Sequence, residues 1–149
     1  MRSDIVPGAV FPDYELSDHT GKYRKLSELQ GQHPMIVVLT RGGYCPKDRQ
    51  QAEGLLELHR EMEVGYCRLV TISTDNITET SEYRSGVGAH WPFLSDVRRI
   101  VQEDLDMWLI PLTQVALDVV CCEVGRVRSP GRTHDGQGAL AFRIPEGIF

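Results

Sequence analysis

Residues 35–46 have the sequence MIVVLTRGGYCP, in which an apolar run leads into two glycines and a cysteine-proline pair. The run at 35–39 is typical of a buried strand, and the glycines at 42–43 allow the chain to turn sharply at its end. Pro46 suits the first turn of a helix, because an N–H at that position would be unpaired anyway. The stretch therefore predicts a strand, a tight turn and a helix, with Cys45 at the helix N-terminus.

Cys45 is the candidate nucleophile of the chain. Unpaired N–H groups and the positive end of the macrodipole at a helix N-terminus stabilise a thiolate over a thiol, and Arg41 and Arg49 add positive charge nearby. Arg49 follows Cys45 by four residues, so the two share a helix face. We therefore expect a nucleophilic thiolate at neutral pH. The alternatives are that Cys45 is a small buried hydrophobe and that the arginines are solvated surface groups.

The helix that follows is predicted from apolar residues at helical spacing, which are Ala52, Leu55, Leu56 and Met62. These residues would pack on a sheet, and Gly65 would end the helix. The residues expected to face water are Lys47, Asp48, Glu53 and Glu57.

The elements before and after this helix predict an α/β layer fold. A hairpin is expected from strands at 14–16 and 22–26, and residues 67–73 are expected to form a second buried strand. Asn76 with Glu79 resembles a capping box that opens a short helix.

Later parts of the chain predict one more helix and a strand pair. The helix would be capped by Ser95 or Asp96 and would bury Val97, Ile100, Val101 and Leu105. A strand is expected at 110–118 with a hairpin partner at 125–128. Beyond Ser129 the glycines and prolines show no sustained period, so no element is assigned there.

Length and composition indicate one domain over residues 1–149, with 130–149 as an irregular tail. The chain has 149 residues, of which 41% are hydrophobic, and this is enough to bury a core without disulfides. The net charge of -5 argues against a nucleic-acid partner. We find neither a signal-peptide pattern nor an apolar stretch long enough to span a bilayer, so a cytoplasmic location and no membrane partner are expected.

The other cysteines and the histidines give weaker signals. Cys67 lies in a β-rich run and is expected in the core. Cys121 and Cys122 are adjacent, so in a strand one would face inward and the other outward, and one of them could serve as a resolving thiol. The five histidines show no metal-ligand spacing with each other or with the cysteines, so no metal is expected.

Several segments in register resemble the peroxiredoxin family, in its broad alkyl hydroperoxide reductase and thiol-specific antioxidant group. The segments are FPDYEL at 11–16, LSELQG at 26–31, RGGYCP at 41–46, TISTD at 71–75 and WPFLSD at 91–96. The resemblance covers roughly residues 8–106, and the C-terminal part of the family is not recognisable after about Leu109. It implies a thioredoxin-like fold, with a central sheet flanked by helices and an N-terminal hairpin.

The resemblance also implies a thiol-dependent peroxidase. Cys45 would attack a hydroperoxide and become a sulfenic acid, which an external thiol such as a thioredoxin-type protein or a small thiol would reduce. The implied catalytic residues are Cys45, Arg41, Arg49 and Thr40. No cofactor is implied, and a homodimer is one possible assembly.

The sequence departs from the family at three positions. A threonine or serine usually stands three residues before the nucleophile and a proline seven before it, but here these residues are Gly42 and Val38. Thr40 or the backbone N–H groups of residues 43–45 are the candidates to replace the peroxide-orienting hydroxyl. Asp48 occupies the position where some relatives have a second cysteine, which excludes a disulfide with a cysteine three residues after Cys45.

Two other functions remain open at this point. A thiol-disulfide reductase would share the fold and the cysteine at the helix start, but it normally needs the second cysteine that Asp48 replaces. A non-catalytic redoxin-fold module that senses or binds partners would fit the missing hydroxyl. Peroxide consumption by the protein and by a Cys45→Ser variant distinguishes these functions.

Overall fold

The computed structural model describes residue 3 and residues 9–106, 119–123 and 126–128. The strands in these ranges are β1 (Glu15–Asp18), β2 (Tyr23–Lys25), β3 (Met35–Thr40), β4 (Arg68–Ser73), β5 (Phe93–Ser95), β6 (Val119–Glu123) and β7 (Arg126–Arg128). The helices are α1 (Leu26–Gln30), α2 (Pro46–Val64), α3 (Ile77–Val87) and α4 (Ile100–Asp104). The described strands form one seven-stranded sheet in the order β2-β1-β5-β4-β3-β6-β7.

Strand β3 lies inside the sheet and has hydrogen-bonded neighbours on both sides. It runs parallel to β4, which is parallel to β5, and it runs antiparallel to β6. The hairpin of β1 and β2 joins the sheet through the antiparallel pairing of β1 with β5. The carboxyl ends of three parallel strands therefore meet at one edge, where α/β folds commonly place their functional residues.

The core lies on both faces of the sheet, because every residue of β3 is buried. One face packs β3 and β4 against the α4 segment, and its residues include Met35, Val37, Leu39, Val70, Ile72, Val101 and Leu105. The other face packs against α2 and α3, and its residues include Ile36, Val38, Ala52, Leu55, Met62 and Tyr83. The predicted sheet with flanking helices and an N-terminal hairpin is confirmed.

Helix α2 begins and ends where the sequence predicts, with Pro46 as its first residue and Gly65 immediately after its last. Asp48 is the exception to its predicted pattern. The sequence places Asp48 on the face toward water, but its side chain is completely buried. The prediction was wrong because the carboxylate of Asp48 binds Arg41, a partner that helical periodicity does not reveal.

Helix α3 has the predicted capping box. The Asn76 side chain accepts a hydrogen bond from the Glu79 N–H, and the Glu79 carboxylate accepts one from the Asn76 N–H, both 3.0 Å long. The helix extends to Val87, and Gly88 ends it in the left-handed region with φ of 76°.

Helix α4 begins later than the sequence predicts. The Asp96 carboxylate accepts hydrogen bonds from the N–H groups of Ile100 and Val101, at 2.8 and 2.9 Å, so Asp96 does cap the helix. The intervening Arg99 has φ of 55°, which interrupts a helix that would start at residue 97. Val97 and Ile100 are 59% and 44% exposed, so their predicted burial was wrong, whereas Val101 and Leu105 are buried as predicted.

The C-terminal strands continue the sheet beyond β3. In the register of β6 on β3, Cys121 is opposite Ile36 and Cys122 is opposite Met35. Strand β7 pairs with β6 over 126–128, close to the predicted hairpin partner. The predicted strand at 110–118 and the predicted irregular tail at 130–149 lie outside the described residues, and the resolving role of Cys121 or Cys122 stays a prediction.

Candidate active site

Cys45 lies at the end of the turn that follows β3. Its N–H donates a 3.2 Å hydrogen bond to the Gly42 carbonyl, and its own carbonyl accepts one of 3.1 Å from the Arg49 N–H. With extended backbone angles it forms the N-cap of α2, directly before Pro46. Only 8% of the residue is exposed. The thiol therefore sits at the N-terminus of a 19-residue helix, where the helix dipole favours negative charge.

Arg41 is the cation in contact with this thiol. Its Nη2 lies 3.0 Å from the Cys45 Sγ and 3.0 Å from the Asp48 Oδ1. The Arg41 N–H donates a second bond, 2.8 Å long, to the Asp48 Oδ2. The Asp48 carboxylate raises the pKa of the Arg41 guanidinium through this hydrogen bonding and its charge, against the opposing effect of burial. Asp48 thus holds a permanent positive charge against the sulfur.

The two glycines of the turn are required by what packs against them. Gly42 has φ of 122°, and a Cβ there would overlap the Asp75 carboxylate, with the Asp75 Cγ only 2.8 Å away. A Cβ on Gly43 would lie 2.9 Å from the Tyr83 Cβ. Real Cβ atoms do not approach other heavy atoms this closely, so neither position accepts a larger residue without movement.

The segment after β4 holds this turn in place. The Asp75 Oδ2 accepts a 2.7 Å hydrogen bond from the Gly43 N–H, and the Thr74 hydroxyl donates one of 2.7 Å to the Arg41 carbonyl. The Ser73 hydroxyl donates a 2.9 Å bond to the same Asp75 oxygen. The loops that follow two neighbouring parallel strands are therefore tied together beside Cys45.

Arg49 takes a different place from Arg41. Its guanidinium lies over the Tyr83 ring, 5.9 Å from the ring centre, and the Tyr83 hydroxyl donates a 2.9 Å hydrogen bond to the Asp48 carbonyl. Arg49 therefore ties α2 to α3, and its guanidinium makes no hydrogen bond to Cys45. A role for Arg49 in holding the thiolate stays a prediction.

Residues 7–122 match the family model described as AhpC/TSA family. The chain belongs to the AhpC/TSA family. From the sequence, the resemblance is expected to end near residue 106, with no family pattern after about Leu109, but the family model matches as far as residue 122. That expectation is therefore corrected. Strand β6, at 119–123, lies mostly within the matched range and pairs with β3. A comparison with curated proteins gives no match.

Solved structures of AhpC/TSA-type peroxiredoxins share the fold. The Mycobacterium tuberculosis peroxidoxin BcpB has 22% identity and a TM-score of 0.71, over 81% of this chain and 80% of that one. Xylella fastidiosa PrxQ has 13% identity and a TM-score of 0.72, over 86% of each chain. The yeast mitochondrial 1-Cys peroxiredoxin has 12% identity and a TM-score of 0.68, over 83% of this chain and 65% of that one. The predicted thioredoxin-like fold is confirmed, and the family supports thiol-dependent peroxidase chemistry in general.

Gly42 provides no hydroxyl three residues before Cys45, and the residues predicted to replace such a hydroxyl differ in their contacts. The Gly43 N–H is bonded to Asp75 and the Cys45 N–H to Gly42, so neither is available to a substrate without breaking a bond. Thr40 is 4% exposed, and its hydroxyl has no hydrogen-bond partner in the described part of the chain. A peroxide-orienting role for Thr40 stays a prediction.

Two carboxylates of the site were missed by sequence reasoning. Asp48 was predicted to face water, although its position three residues after Cys45 puts it in the first turn of α2, next to that cysteine. Asp75 follows the buried strand β4, and polar residues at the carboxyl end of a parallel strand are a signal that could have identified it. Tyr83, which packs on the turn, carried no such signal because its contacts are all distant in sequence.

Neither a metal cluster nor a membrane-spanning helix accompanies the AhpC/TSA site in the described ranges. Among those residues, no group of three or more histidine, cysteine or acidic side chains is arranged to hold a metal ion. Over the same residues, no helix combines the length and the hydrophobicity needed to cross a bilayer.

Proposed function

We propose that this protein is a thiol-dependent peroxidase that reduces hydroperoxides at Cys45. The observation that carries the proposal is the contact of one guanidinium nitrogen of Arg41 with both the Cys45 Sγ and the buried Asp48 carboxylate, each at 3.0 Å. A cation fixed in this way stabilises a thiolate and also the negative charge that develops on a leaving oxygen.

The chemistry is a displacement at oxygen. The Cys45 thiolate attacks the terminal oxygen of a hydroperoxide, so that an S–O bond forms and the O–O bond breaks. The sulfur is oxidised by two electrons and becomes a sulfenic acid that retains the peroxide proton. The other oxygen is reduced and leaves as an alkoxide or hydroxide, which faces Arg41 and takes a proton from water. Arg41 is well suited to this step because it keeps its charge at every accessible pH.

An external thiol completes the proposed cycle. Asp48 stands three residues after Cys45, where a second cysteine would be needed for a local disulfide, and Cys67 is buried next to β4. The yeast mitochondrial 1-Cys peroxiredoxin is described as resolved through the glutathione and thioredoxin systems, which supports a small thiol or a thioredoxin-type protein as donor here. The same replacement by Asp48 disfavours a thiol-disulfide reductase.

The proposal is tested by peroxide consumption and by intact mass. The reduced protein should consume hydrogen peroxide in the presence of an external thiol, and Cys45→Ser should abolish this. Cys67→Ser is the matched control, because both cysteines are buried, and it should retain activity. After one equivalent of peroxide without thiol, the mass should increase by one oxygen that a sulfenic-acid reagent traps. Equal rates for the protein and Cys45→Ser would instead favour a non-catalytic module.

A further inference from the structure

We propose that the carboxylate of Asp75 accepts a hydrogen bond from the O–H of the hydroperoxide beside Cys45, and so replaces the hydroxyl that is absent at residue 42. This inference rests on the peroxidase function proposed above and adds the group that orients its substrate. Asp75 would then be a catalytic residue, because it touches the oxygen that the thiolate attacks.

The first observation is the space that Asp75 occupies. Gly42 stands three residues before Cys45, and a Cβ built on Gly42 overlaps the Asp75 carboxylate. The side-chain volume of residue 42 is therefore filled by carboxylate oxygens from the neighbouring strand end. Gly42 and Cys45 are also joined by the 3.2 Å bond from the Cys45 N–H to the Gly42 carbonyl, so the oxygens lie against the same turn as the nucleophile.

The second observation is that this carboxylate is firmly held but keeps one oxygen available. The Asp75 Oδ2 accepts from the Gly43 N–H and the Ser73 hydroxyl, at 2.7 and 2.9 Å. The Asp75 carbonyl accepts from the hydroxyls of Ser95 and Thr80, at 2.7 and 3.3 Å. The Oδ1 has no hydrogen-bond donor among the described residues. The Asp75 carboxylate is therefore fixed before the substrate arrives, and polar groups that are fixed in advance lower a reaction barrier because they need not reorganise during the reaction.

The third observation is that Tyr83 packs on the turn that contains Gly43, which Asp75 binds, and Cys45. Burial is the main cause that raises the pKa of Tyr83, and the charge of Asp48 raises it further, against the opposing effect of Arg49. Asp75 and Cys45 make smaller contributions that also raise this pKa. Tyr83 in turn packs against Gly43, within the turn. The carboxylate and the thiol are thus connected through one turn, because Asp75 binds the Gly43 N–H and Cys45 follows Gly43 by two residues.

In the proposed complex the two oxygens of the hydroperoxide bind different residues, one of which accepts a hydrogen bond and the other of which donates one. Asp75 is only an acceptor when ionised, so it binds the hydrogen of the terminal oxygen, while Arg41 is only a donor and binds the lone pairs of the leaving oxygen. The O–O bond is then oriented for attack by the Cys45 sulfur. The proton remains on the attacked oxygen in the sulfenic acid, and the leaving alkoxide is protonated by water, so atoms and electrons balance.

The test is Asp75→Asn, with two reactions of Cys45 measured in parallel. We expect the rate constant for oxidation by hydrogen peroxide to fall about 100-fold, the size typical of removing one positioned group. The rate of alkylation by iodoacetamide should be unchanged or higher, because removing a nearby negative charge favours the thiolate. Asp13→Asn is the matched control, since Asp13 also accepts from one N–H and one hydroxyl, those of Ser27, and both rates should remain unchanged.

Three results would overturn the inference. If the two rates fall together, Asp75 only holds the turn, and if neither falls, it has no role. If the unaltered protein reacts with peroxide no faster than free cysteine, the proposed function fails and this inference falls with it. Should Asp75→Asn fail to fold, Asp75→Ser is the second variant, because its smaller hydroxyl side chain leaves more room beside Gly42, and the same comparison of rates applies.

Discussion

Asp48 and Arg41 depend on each other at the level of single residues. The Asp48 side chain is fully buried, whereas the Arg41 side chain is 39% exposed, so the carboxylate has exchanged water for a guanidinium and a backbone N–H. A buried carboxylate without these partners would be strongly destabilised. The same pair therefore serves stability and holds the positive charge at the sulfur.

Asp48→Asn should reduce both properties. We expect the free energy of unfolding to fall by about 1–3 kcal/mol, because charged hydrogen bonds to Arg41 are lost and the pair is partly screened by water. The alkylation rate of Cys45 at neutral pH should fall, because the loss of a firmly held Arg41 outweighs the removal of the Asp48 charge, which alone would favour the thiolate. Urea unfolding and iodoacetamide kinetics measure these effects. Glu57→Gln, in the exposed part of the same helix, is the control, and equal effects in both variants would contradict the prediction.

Gly42 allows a second measurement at this scale. Gly42→Ala should destabilise the fold more than Gly21→Ala, because both residues have positive φ but only Gly42 faces another group at the Cβ position. Backbone strain costs about 1–3 kcal/mol at such positions, so the overlap with Asp75 is separated from it by a second substitution. Combining Gly42→Ala with Asp75→Ser should remove most of that difference in urea unfolding. Equal losses at Gly42 and Gly21 would show that the carboxylate moves aside freely.

At the level of elements, local signals predicted well and distant contacts did not. The start of α2 at Pro46 and the capping box at Asn76 depend on residues a few positions apart, and both are found. The burial of Asp48 depends on a loop conformation that brings the Arg41 N–H and guanidinium to it. The late start of α4 depends on the left-handed Arg99. Hydrophobic periodicity therefore predicts neither the burial of Asp48 nor the late start of α4.

Helix α2 packs against the segment before β5 partly through His59, whose ring centre lies 4.9 Å from that of Trp91. Burial lowers the pKa of His59, opposed by Glu63 and assisted by His90. The unfolded chain therefore binds this proton at a higher pH than the folded chain. Stability from neutral His59 is complete above about pH 6.5 and is lost as pH falls through the lower pKa of the folded state.

His59→Gln should therefore reduce the loss of stability between about pH 7.5 and pH 5. Part of the pH dependence of the free energy of unfolding should remain, because burial also lowers the pKa of His19. Urea unfolding at several pH values provides the curves. His33→Gln, which alters a histidine stacked on the exposed Tyr66, is the comparison. A slope equal to that of the unaltered protein in His59→Gln would refute the assignment.

At the scale of the whole molecule, the sheet is unevenly supported. Strands β3 and β4 each have hydrogen-bonded partners on both sides, and β3 is buried along its entire length. Strand β2 has three residues, none of them buried, and among the described strands it pairs only with β1. Local opening is therefore expected to begin at β2 and to reach β3 only on global unfolding.

Deuterium uptake followed by mass spectrometry measures this gradient. Peptides that cover residues 35–40 should exchange at the rate set by global unfolding, and those that cover 23–25 should exchange much earlier. Addition of sub-denaturing urea should accelerate the first group more steeply, because global unfolding exposes more surface. Exchange at 35–40 as fast as at 23–25 would contradict the central position of β3.

The contact of Arg41 with two acidic partners also determines the order in which reactants can arrive. In the proposed reduced state the guanidinium faces a thiolate and a carboxylate, so the three groups together carry one negative charge. Formation of the neutral sulfenic acid removes that charge. A neutral hydroperoxide is not affected by this change, but an incoming donor thiolate is repelled more strongly before oxidation than after it. The site would thus discourage the reductant from occupying it too early, and added salt, which screens the repulsion, should weaken this sequence.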